Sequence, residues 1–380
     1  MKSTHTETRR ILLITPSLRI RDGITANSIN LMHGWLQAGF HVLVLNPGKT
    51  GLEIEGKFSS PKSFEAFMAG ENVGMEPAEV EFKADTAVIQ YAISTYWLRT
   101  YWIHKWLKFT PNKFVILLCH EPVREIQLLR SLGKWIYQRA FSRSKKVVIF
   151  SKQAGELVKS LTTNKVEVLT LPVPVRKVSQ GSKLHFPQFL MLGYYLEDKG
   201  FELGLESFMA TANKLRIPIG LTVVVSVRER VGSASIFSRR DRRDFKKFQT
   251  LLAGAKKILP ANINILGYLT ETEMEEVITG CDYLLMPYLD ITNSGVAVTA
   301  KAHAIPVISS DLKPLIEAFE ESAIFFKAGS LIDLQAKLES VATDPNWKLD
   351  REIRAHQMLK LAATTSAATV SHAITDTQSS

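Results

Sequence analysis

The chain has 380 residues, a length that suits two domains of about 150 residues better than one core. Hydrophobic residues make up 46% and charged residues 22%, a globular mix that excludes disordered, collagen-like and coiled-coil proteins. The formal net charge is +10. Cys119 and Cys281 are the two cysteines and lie far apart in apolar surroundings. They predict neither a disulfide framework nor a metal cluster, and they fit a reducing compartment.

The positive charge is concentrated in two windows. Residues 124–146 have seven basic residues and one acidic residue, and residues 228–257 have ten and three. This pattern indicates either an anionic partner, such as a nucleotide or a phospholipid surface, or two solvated helix faces. No nucleic-acid-reading motif accompanies the charge, so no nucleic acid is expected. With no signal-peptide layout and no apolar run of about 20 residues, we expect a cytoplasmic protein. The basic windows add the expectation of a peripheral location at the inner face of the plasma membrane.

The first half of the chain alternates strands and helices. The run at 11–17 is almost continuously apolar and stops at a proline, which is typical of a strand buried on both faces of a parallel sheet. Further strands are predicted at 41–46, 86–91, 113–119 and 146–151. Helices are predicted at 25–38, 96–107, 123–141 and 153–161.

After a lapse at 171–188 the alternation resumes. Strands are predicted at 189–193, 220–227, 263–267, 281–287 and 306–310, and helices at 201–215, 271–280, 295–304, 331–342 and 346–361. This α/β pattern predicts two doubly wound domains at 1–172 and 189–345, joined by a linker at 173–188. Residues 346–380 are expected to form a helix that packs back toward the N-terminal domain, followed by a loose Ala/Thr/Ser-rich tail.

Short motifs follow the strands in a recognisable order: Thr15-Pro16-Ser17 with Gly23, then His120, Leu192-Gly193 with Lys199-Gly200, Leu266-Gly267-Tyr268-Leu269, and Asn293-Ser294-Gly295 before Ile305-Pro306-Val307-Ile308. By these segments the chain, from residue 11 to about 361, resembles the GT-B glycosyltransferases of the sugar-nucleotide-dependent family 4 type. The resemblance implies two Rossmann-like domains facing each other across a cleft, with the acceptor on the N-terminal domain and the donor on the C-terminal domain.

The donor diphosphate needs positive partners, and no metal-ligand motif is present, so no metal is expected. Ser294 and Gly295 stand where a loop becomes a helix, so Ser294 can cap and Gly295 lets a phosphate approach the backbone. The dipeptide alone fits an ordinary N-cap equally well. The resemblance implies donor contacts there, with Asn293, and assigns phosphate neutralisation to Lys199.

His120 follows a buried strand, and a histidine at the carboxyl end of a parallel strand points into the crevice. In related enzymes the matching histidine lies near the reacting carbon of the donor sugar, so His120 and Lys199 are the candidate catalytic residues. Glu121 is a weaker candidate base on the acceptor side. Gly23 matches the glycine of a donor-approaching loop, although a turn would explain it as well.

The acceptor is expected on the N-terminal domain. Asp22 and Thr25 flank the glycine loop, and an aromatic stretch begins at Tyr91. Tyr91 and Tyr96 are the candidates that face the cleft, while the tryptophans of this stretch, from Trp97 to Trp106, are expected mostly to pack in the core, since aromatic stripes at helical spacing usually do.

The chain departs from the family at two motifs. Ile291 and Thr299 stand where the family has two glutamates spaced E-x7-E, and Thr299 keeps only a hydroxyl for the ribose. Tyr194 replaces an arginine that follows the glycine, so Arg228 and Arg230 are candidate substitutes for that cation. A branch of the family has a Ser-Gly loop in place of the glutamates, as this chain does.

For the nucleobase, the resemblance places Tyr268 and Leu269 at the pocket wall, and a UDP-sugar is favoured over a GDP-sugar. The implied function is retaining, metal-independent transfer of a hexose from a nucleotide sugar to a glycan or lipid-linked glycan, with no cofactor besides the donor. The alternative is a non-catalytic sugar-nucleotide-binding or partner subunit of the same fold. A nucleotide-sugar epimerase is less favoured, because its acidic and basic groups are not evident.

Overall fold

The computed structural model describes residues 9–20, 23–71, 83–110, 114–120, 122–174, 176–215, 218–226, 236–259, 262–267, 269–291 and 293–376. The chain divides into two compact units. Unit 1 comprises Met1–Pro174 and Thr365–Ser380, and unit 2 comprises Val175–Thr364.

Unit 1 contains a seven-stranded sheet with the order β3-β2-β1-β4-β5-β6-β7. All neighbours are parallel except β2 and β3, which pair antiparallel at one edge. The strands are Arg10–Ile14 (β1), His41–Pro47 (β2), Leu52–Phe58 (β3), Thr86–Tyr91 (β4), Phe114–Cys119 (β5), Lys146–Ile149 (β6) and Lys165–Val168 (β7).

Helices cover both faces of this sheet. Along β1, Ile11 and Leu13 pack into one apolar cluster and Leu12 and Ile14 into the other, which explains the continuous apolar run of the sequence. The helices of this part of the chain are Gly23–Gln37 (α1), Pro61–Met68 (α2), Ile93–Tyr96 (α3), Thr100–Phe109 (α4), Pro122–Phe141 (α5) and Lys152–Lys159 (α6).

Unit 2 has a parallel six-stranded sheet with the order β10-β9-β8-β11-β12-β13. Its strands are Gln188–Tyr194 (β8), Gly220–Ser226 (β9), Ile263–Leu266 (β10), Tyr283–Met286 (β11), Val307–Ser310 (β12) and Ala323–Phe326 (β13). The helices are Phe201–Leu215 (α7), Ile236–Ile258 (α8), Glu271–Thr279 (α9), Gly295–Ala302 (α10), Lys313–Phe319 (α11), Leu331–Thr343 (α12) and Trp347–Thr364 (α13). Both predicted sheets, and hence the α/β class, are confirmed.

The unit boundaries differ from the predicted ranges. Unit 1 extends two residues beyond the predicted end at 172, and the predicted linker at 173–188 is divided between the two units. Val173 pairs with Ser366 in a β-bridge of unit 1. Ser179 is buried in unit 2, where its backbone N–H donates to the carbonyl of His303 at 2.7 Å.

The segment 346–380 forms two helices that belong to different units. α13 stays with unit 2 and packs against α10. Its Arg351 lies 3.6 Å from Asp282 in a buried ion pair and donates to the Ser179 carbonyl at 3.1 Å. Residues 347–364 are thus assigned to unit 2, whereas the segment predicted to return to the N-terminal domain continues beyond them into unit 1.

The remaining helix, Ala367–Thr375 (α14), corrects the prediction of a loose tail. It packs against α1 in unit 1, where the Trp35 Nε1–H donates to the Ser371 carbonyl at 3.1 Å. The helices come very close, because a Cβ on Gly34 would lie 2.7 Å from the Ala367 carbonyl oxygen. Small side chains make this contact possible, so a composition typical of a tail here forms part of the core.

No helix within the described ranges is long and apolar enough to span a bilayer.

Candidate functional site

In unit 2, the turn that contains Lys199 lies against the segment that follows β11. The turn ends at Gly200, whose φ is +60°, and a Cβ there would lie 2.0 Å from the Pro287 carbonyl oxygen. The Asp198 carbonyl accepts a hydrogen bond from the Leu289 N–H at 2.7 Å. A glycine is needed both for the left-handed backbone and for the close approach. These contacts fix the turn against the loop that leads to α10.

The Lys199 side chain lies over an aromatic ring. Its Nζ is 5.4 Å from the ring centroid of Tyr288, a cation–π distance. The Tyr288 side chain is 2% exposed, and its hydroxyl lies 3.4 Å from the Ser294 Oγ. Burial raises the pKa of Tyr288 above its ordinary value, so the phenol stays neutral. One buried ring therefore contacts both the lysine and the predicted phosphate-binding serine.

Gly193, at the end of β8, completes this group. Its φ is +132°, and a Cβ at this position would lie 3.0 Å from the Lys199 Nζ and 3.4 Å from the Val296 Cγ2. The carboxyl edge of β8, the Lys199 turn and the first turn of α10 thus meet in one place. We call Gly193, Lys199, Tyr288, Ser294 and Gly295 the unit 2 cluster.

The N-terminus of α10 is built as the sequence predicted. The Ser294 Oγ accepts a hydrogen bond from the Ala297 N–H at 3.2 Å and caps the helix. Gly295 is exposed, and a Cβ there would meet no atom within 4 Å. Since helix N-termini attract anions through free N–H groups and the helix dipole, this end provides a second positive element beside Lys199.

The other predicted donor residues of unit 2 have different surroundings. The Thr299 hydroxyl donates to the Gly295 carbonyl at 3.1 Å, an intrahelical bond. Asn293 and Leu269 are half-buried, and Leu269 packs against an apolar cluster of unit 2. Tyr268, Arg228 and Arg230 lie outside the described residues.

In unit 1, three polar side chains meet at the carboxyl edge of the sheet, and we call them the unit 1 cluster. The His120 Nε2 lies 2.5 Å from the Gln90 Oε1 and 3.5 Å from the Asn27 Nδ2. The exposed fractions are 7% for His120, 0% for Gln90 and 4% for Asn27. Burial lowers the pKa of His120 from 6.5 to about 3.

This chemistry makes His120 a neutral imidazole. Because a carbonyl oxygen can only accept, the Nε2 carries the proton and donates to Gln90. The Gln90 Nε2 and the Asn27 Oδ1 are buried, and neither has a hydrogen-bond partner within the described part of the chain. An amide donor and an amide acceptor beside an imidazole match the donor and acceptor pattern of sugar hydroxyls.

The glycine loop leads into this cluster. Gly23 is the exposed first residue of α1. Thr25 is buried, and its hydroxyl donates to the Ser17 carbonyl at 3.4 Å, which anchors the loop. Asp22 and Glu121 lie outside the described residues.

The aromatic stretch that begins at the end of β4 differs from the prediction in two ways: the tyrosines are buried and one tryptophan is exposed. Tyr91 and Tyr96, predicted to face an acceptor, are buried in the core. The Tyr91 hydroxyl bonds to His104 at 2.7 Å, and the Tyr96 hydroxyl donates to the Gln90 carbonyl at 2.8 Å. Trp97, expected to pack, is 65% exposed.

Sequence reasoning missed three members of the two clusters. Gln90 was detectable as the polar side chain in an otherwise apolar buried strand, one strand away from His120. Asn27 and Tyr288 gave a weaker signal, because amides and tyrosines near loops are common. No three His, Cys, Asp or Glu side chains within the described ranges are grouped as metal ligands would be.

Solved structures align with nearly the whole chain. A sucrose-phosphate synthase from Thermosynechococcus elongatus aligns over 96% of this chain and 97% of its own, with a TM-score of 0.66 at 14% identity. HepE from Anabaena, in complex with UDP and glucose, aligns over 98% and 99%, with a TM-score of 0.65 at 13% identity. The chain has the GT-B fold. The GT-B neighbours include a trehalose-6-phosphate structure from E. coli bound with UDP-2-fluoro glucose, with a TM-score of 0.65, 12% identity and coverage of 96% and 97%.

Sequence comparison gives no closer assignment within the GT-B fold. No family description matches the chain, and a search of curated proteins finds no match.

Proposed function

We propose that this protein is a glycosyltransferase that moves a sugar from a nucleotide-diphosphate donor to a hydroxyl group of an acceptor. The observation that carries the proposal is the unit 2 cluster. In it, a lysine, a capped helix N-terminus and a glycine that leaves room for a phosphate are held together by one buried tyrosine. These are the groups that a diphosphate needs when a metal is not its partner.

The reaction places negative charge on the leaving diphosphate as its bond to the anomeric carbon breaks. Lys199 and the first N–H groups of α10 are positioned to bind that charge, and both are fixed before the reaction by the Gly200 and Ser294 contacts. Such preorganised donors stabilise the transition state more than the ground state, since the charge develops during the step. Tyr288 contributes by fixing the lysine above its ring.

The unit 1 cluster suits the sugar or the acceptor. His120 is neutral, so it serves as a hydrogen-bond donor or acceptor and not as a charged acid. Gln90 and Asn27 each supply one buried polar atom, and we propose that sugar hydroxyls satisfy them. Gly23 is proposed to let the donor approach the backbone at the start of α1.

Finer features of the activity are proposals that rest on the family resemblance. We propose a hexose as the transferred group, retention of its configuration, and a glycan or lipid-linked glycan as acceptor. We favour UDP over GDP as the carrier. Structures of similar fold were determined with UDP and glucose or with UDP-2-fluoro glucose, which supports this choice.

The same proposal has a direct test. The protein is incubated with UDP-glucose, other UDP-hexoses and GDP-mannose, first in thermal-shift assays and then in assays of nucleotide release without acceptor. A bound ligand raises the free energy of unfolding by RT ln(1 + [L]/Kd), so the correct sugar nucleotide should raise the Tm. Slow hydrolysis of that sugar nucleotide should then release its nucleoside diphosphate. His120→Ala is the control for turnover. Absence of a shift with all of these donors would refute sugar-nucleotide use.

A second function is favoured by one specific observation. Ile291 and Thr299 occupy the places of two carboxylates, and the Thr299 hydroxyl is bonded within α10. A non-catalytic sugar-nucleotide-binding or partner subunit would fit that loss. It predicts a nucleotide-induced Tm shift with no release of nucleotide in either the wild type or His120→Ala.

Metal independence is a further part of the proposal and a prediction in its own right. Transfer should proceed at an unchanged rate in EDTA, because Lys199 and the α10 N-terminus bind the diphosphate charge. Initial rates with and without chelator measure this. Loss of activity in EDTA with recovery on adding Mn²⁺ or Mg²⁺ would contradict it.

We also place the enzyme at the inner face of the plasma membrane as a peripheral protein. The support is the concentration of basic residues in 124–146 and 228–257, because each Lys or Arg near an anionic surface contributes about 1 kcal/mol.

A further inference from the structure

The outward side of α4 and of the turn before it combines apolar and basic side chains. Thr100, Ile103 and Leu107 point inward and are buried. On the other side of α4, Tyr101 and Phe109 are 62% and 68% exposed, and in the turn before the helix Trp97 and Leu98 are 65% and 81% exposed. Lys105 and Lys108, both exposed, lie along the same stripe. The stripe is amphipathic with cations at its edge.

A second stripe of the same kind follows α5. α5 is broken at Arg130, whose φ is +49°. After the break, Leu132 and Trp135 are 56% and 55% exposed, and their spacing with Arg139, 3 and 4 residues, places the three on one side of the helix. Leu128, which is 71% exposed, lies before the break. The Arg139 guanidinium lies 5.3 Å from the Trp135 ring centroid, which covers the aromatic face with a cation.

Both stripes lie on the same side of the unit 1 sheet. The inward residues of α4 and α5 share one apolar cluster, to which Ile103 and Tyr137 belong. Burial, and after it the nearby charges of Arg143, two residues past α5, and Arg139 of α5, lower the pKa of His104 in α4 to about 4, so the end of α5 lies close to α4. We call the outward residues of α4 and α5, with Trp97 and Leu98, the basic apolar surface.

Charge decides what this surface can bind. Among the described exposed residues of α4 and α5, five are basic and none is acidic: Lys105, Lys108, Arg130, Lys134 and Arg139. The acidic residue described in these helices, Glu125, is buried. Glu125 accepts hydrogen bonds from the N–H groups of Ile93 and Ser94 at 2.8 and 2.6 Å, so it does not offset the outward charge. A second copy of the chain would oppose positive charge with positive charge. Exposed tryptophan, tyrosine and leucine among lysines and arginines are instead the composition of helices that lie in a membrane interface.

We propose that the basic apolar surface of unit 1 is the docking surface for an anionic lipid bilayer, with α4 and α5 lying along the headgroup region. The leucines and aromatic rings enter the boundary of the acyl chains, and the cations pair with lipid phosphates. This inference deepens the proposed peripheral location by naming the surface. It does not depend on the transfer reaction.

The test is flotation of the full-length protein with vesicles of phosphatidylcholine alone or with about 30% phosphatidylglycerol. We expect binding to the anionic vesicles that weakens as NaCl is raised from about 0.1 to 0.5 M, since surface charges are then screened. Lys199→Ala should bind like the wild type, which separates the surface from the transfer chemistry.

Two pairs of variants with matched controls locate the surface. Lys134→Gln/Arg139→Gln should lower the partition coefficient about 30-fold, at about fivefold per charge. Lys313→Gln/Lys360→Gln makes the same charge change on unit 2 and should leave most binding. Leu98→Ser/Leu132→Ser should reduce binding at least about tenfold. Ile332→Ser/Leu349→Ser, on unit 2 residues that are 80% and 58% exposed, is its control.

Equal binding to neutral and anionic vesicles would overturn the proposal. So would a loss in the unit 2 controls as large as in the unit 1 variants. Failure to bind any vesicle would also overturn it and would leave an acidic protein as the partner for this surface. Melting temperatures of all four variants exclude unfolding as the cause of a loss.

Discussion

Removal of the Lys199 ammonium tests the proposed chemistry most directly. The Nζ lies above the Tyr288 ring and beside Gly193, at the edge where the first turn of α10 is exposed. A charge-assisted contact to a phosphate contributes about 1.5–3 kcal/mol. At about 1.4 kcal/mol per tenfold, Lys199→Ala should lower kcat/KM by about ten- to a hundredfold. If the contact strengthens as the diphosphate leaves, kcat falls together with kcat/KM.

Lys199→Arg should restore part of this loss. On the side of Gly193 there is little space beside the Nζ, because an added Cβ on that glycine would approach it to 3.0 Å. The arginine guanidinium is a wide, planar group with a delocalised charge, whereas the lysine ammonium is a compact point charge. The guanidinium should therefore bind the phosphate in a less favourable position. Partial rescue would show that the positive charge matters, and that its position matters as well.

The assay is steady-state transfer, or donor hydrolysis, with the sugar nucleotide that raises the Tm most. Lys214→Ala is the matched control, since Lys214 is a 60% exposed lysine of unit 2 that pairs with Glu339 at 2.7 Å. It should change the rate by less than about twofold, as surface ion pairs contribute little. A Lys199→Ala enzyme within twofold of the wild type, at equal Tm, would refute the role of Lys199. Arg228 and Arg230 would then be the next candidates.

Three further predictions concern stability. Since burial lowers the pKa of His120 to about 3, the unfolded chain binds a proton that the folded chain excludes, and stability falls as the pH drops below 6.5. In urea titrations, His120→Asn should therefore reduce the stability lost between about pH 7 and pH 5 by up to about 2 kcal/mol; an unchanged loss would contradict this. A non-glycine residue in the left-handed region costs about 1–2 kcal/mol. Gly200→Ala should destabilise unit 2 by more than this, because the added Cβ would also clash with the Pro287 carbonyl. Gly39→Ala, at φ +82° with open space around it, should cost only that amount. Ile374→Ala, at a fully buried position of α14, should cost about 2–5 kcal/mol of unit 1 stability, measured by calorimetry against exposed Ile332→Ala as control; a Tm unchanged by both would refute the packing of α14.

Buried parallel strands and long amphipathic helices could be predicted from the sequence because their signals are local. The strand at 86–91 and the helix at 201–215 have the predicted bounds, and most other predicted elements differ by a few residues. Three edge strands were missed for a physical reason. Leu52–Phe58 alternates apolar and charged residues around a glycine, and Lys165–Val168 and Ala323–Phe326 are only four residues long. Such strands form because a neighbouring strand offers hydrogen bonds, which is tertiary information.

Helix α14 shows the same limit more clearly. Its sequence of alanine, threonine and serine has weak intrinsic helix signals, so a loose tail was the natural expectation. What stabilises it is the fit of small side chains against Gly34 and the hydrogen bond from Trp35, more than 300 positions away in the chain. No window of local sequence contains that contact.

The candidate site was predictable where chemistry depends on chain position and not where it depends on a neighbour. Ser294 was identified from a helix cap, which is a local feature, and Lys199 from the family resemblance of the Lys199-Gly200 segment. Tyr288 was not, because its importance comes from the two residues that it contacts.

The contacts of Tyr288 with Lys199 and Ser294 also bear on the arginine and the two glutamates of the family pattern that this chain lacks. In the proposed donor site, a buried ring that holds one lysine beside a capped helix N-terminus would take the place of a second, mobile cation. Preorganisation of this kind contributes most where charge develops during the reaction. On this argument, substituting Tyr194 with arginine should add less to donor binding than the loss of Lys199 removes, because the added cation would lack the buried ring that holds the lysine in place.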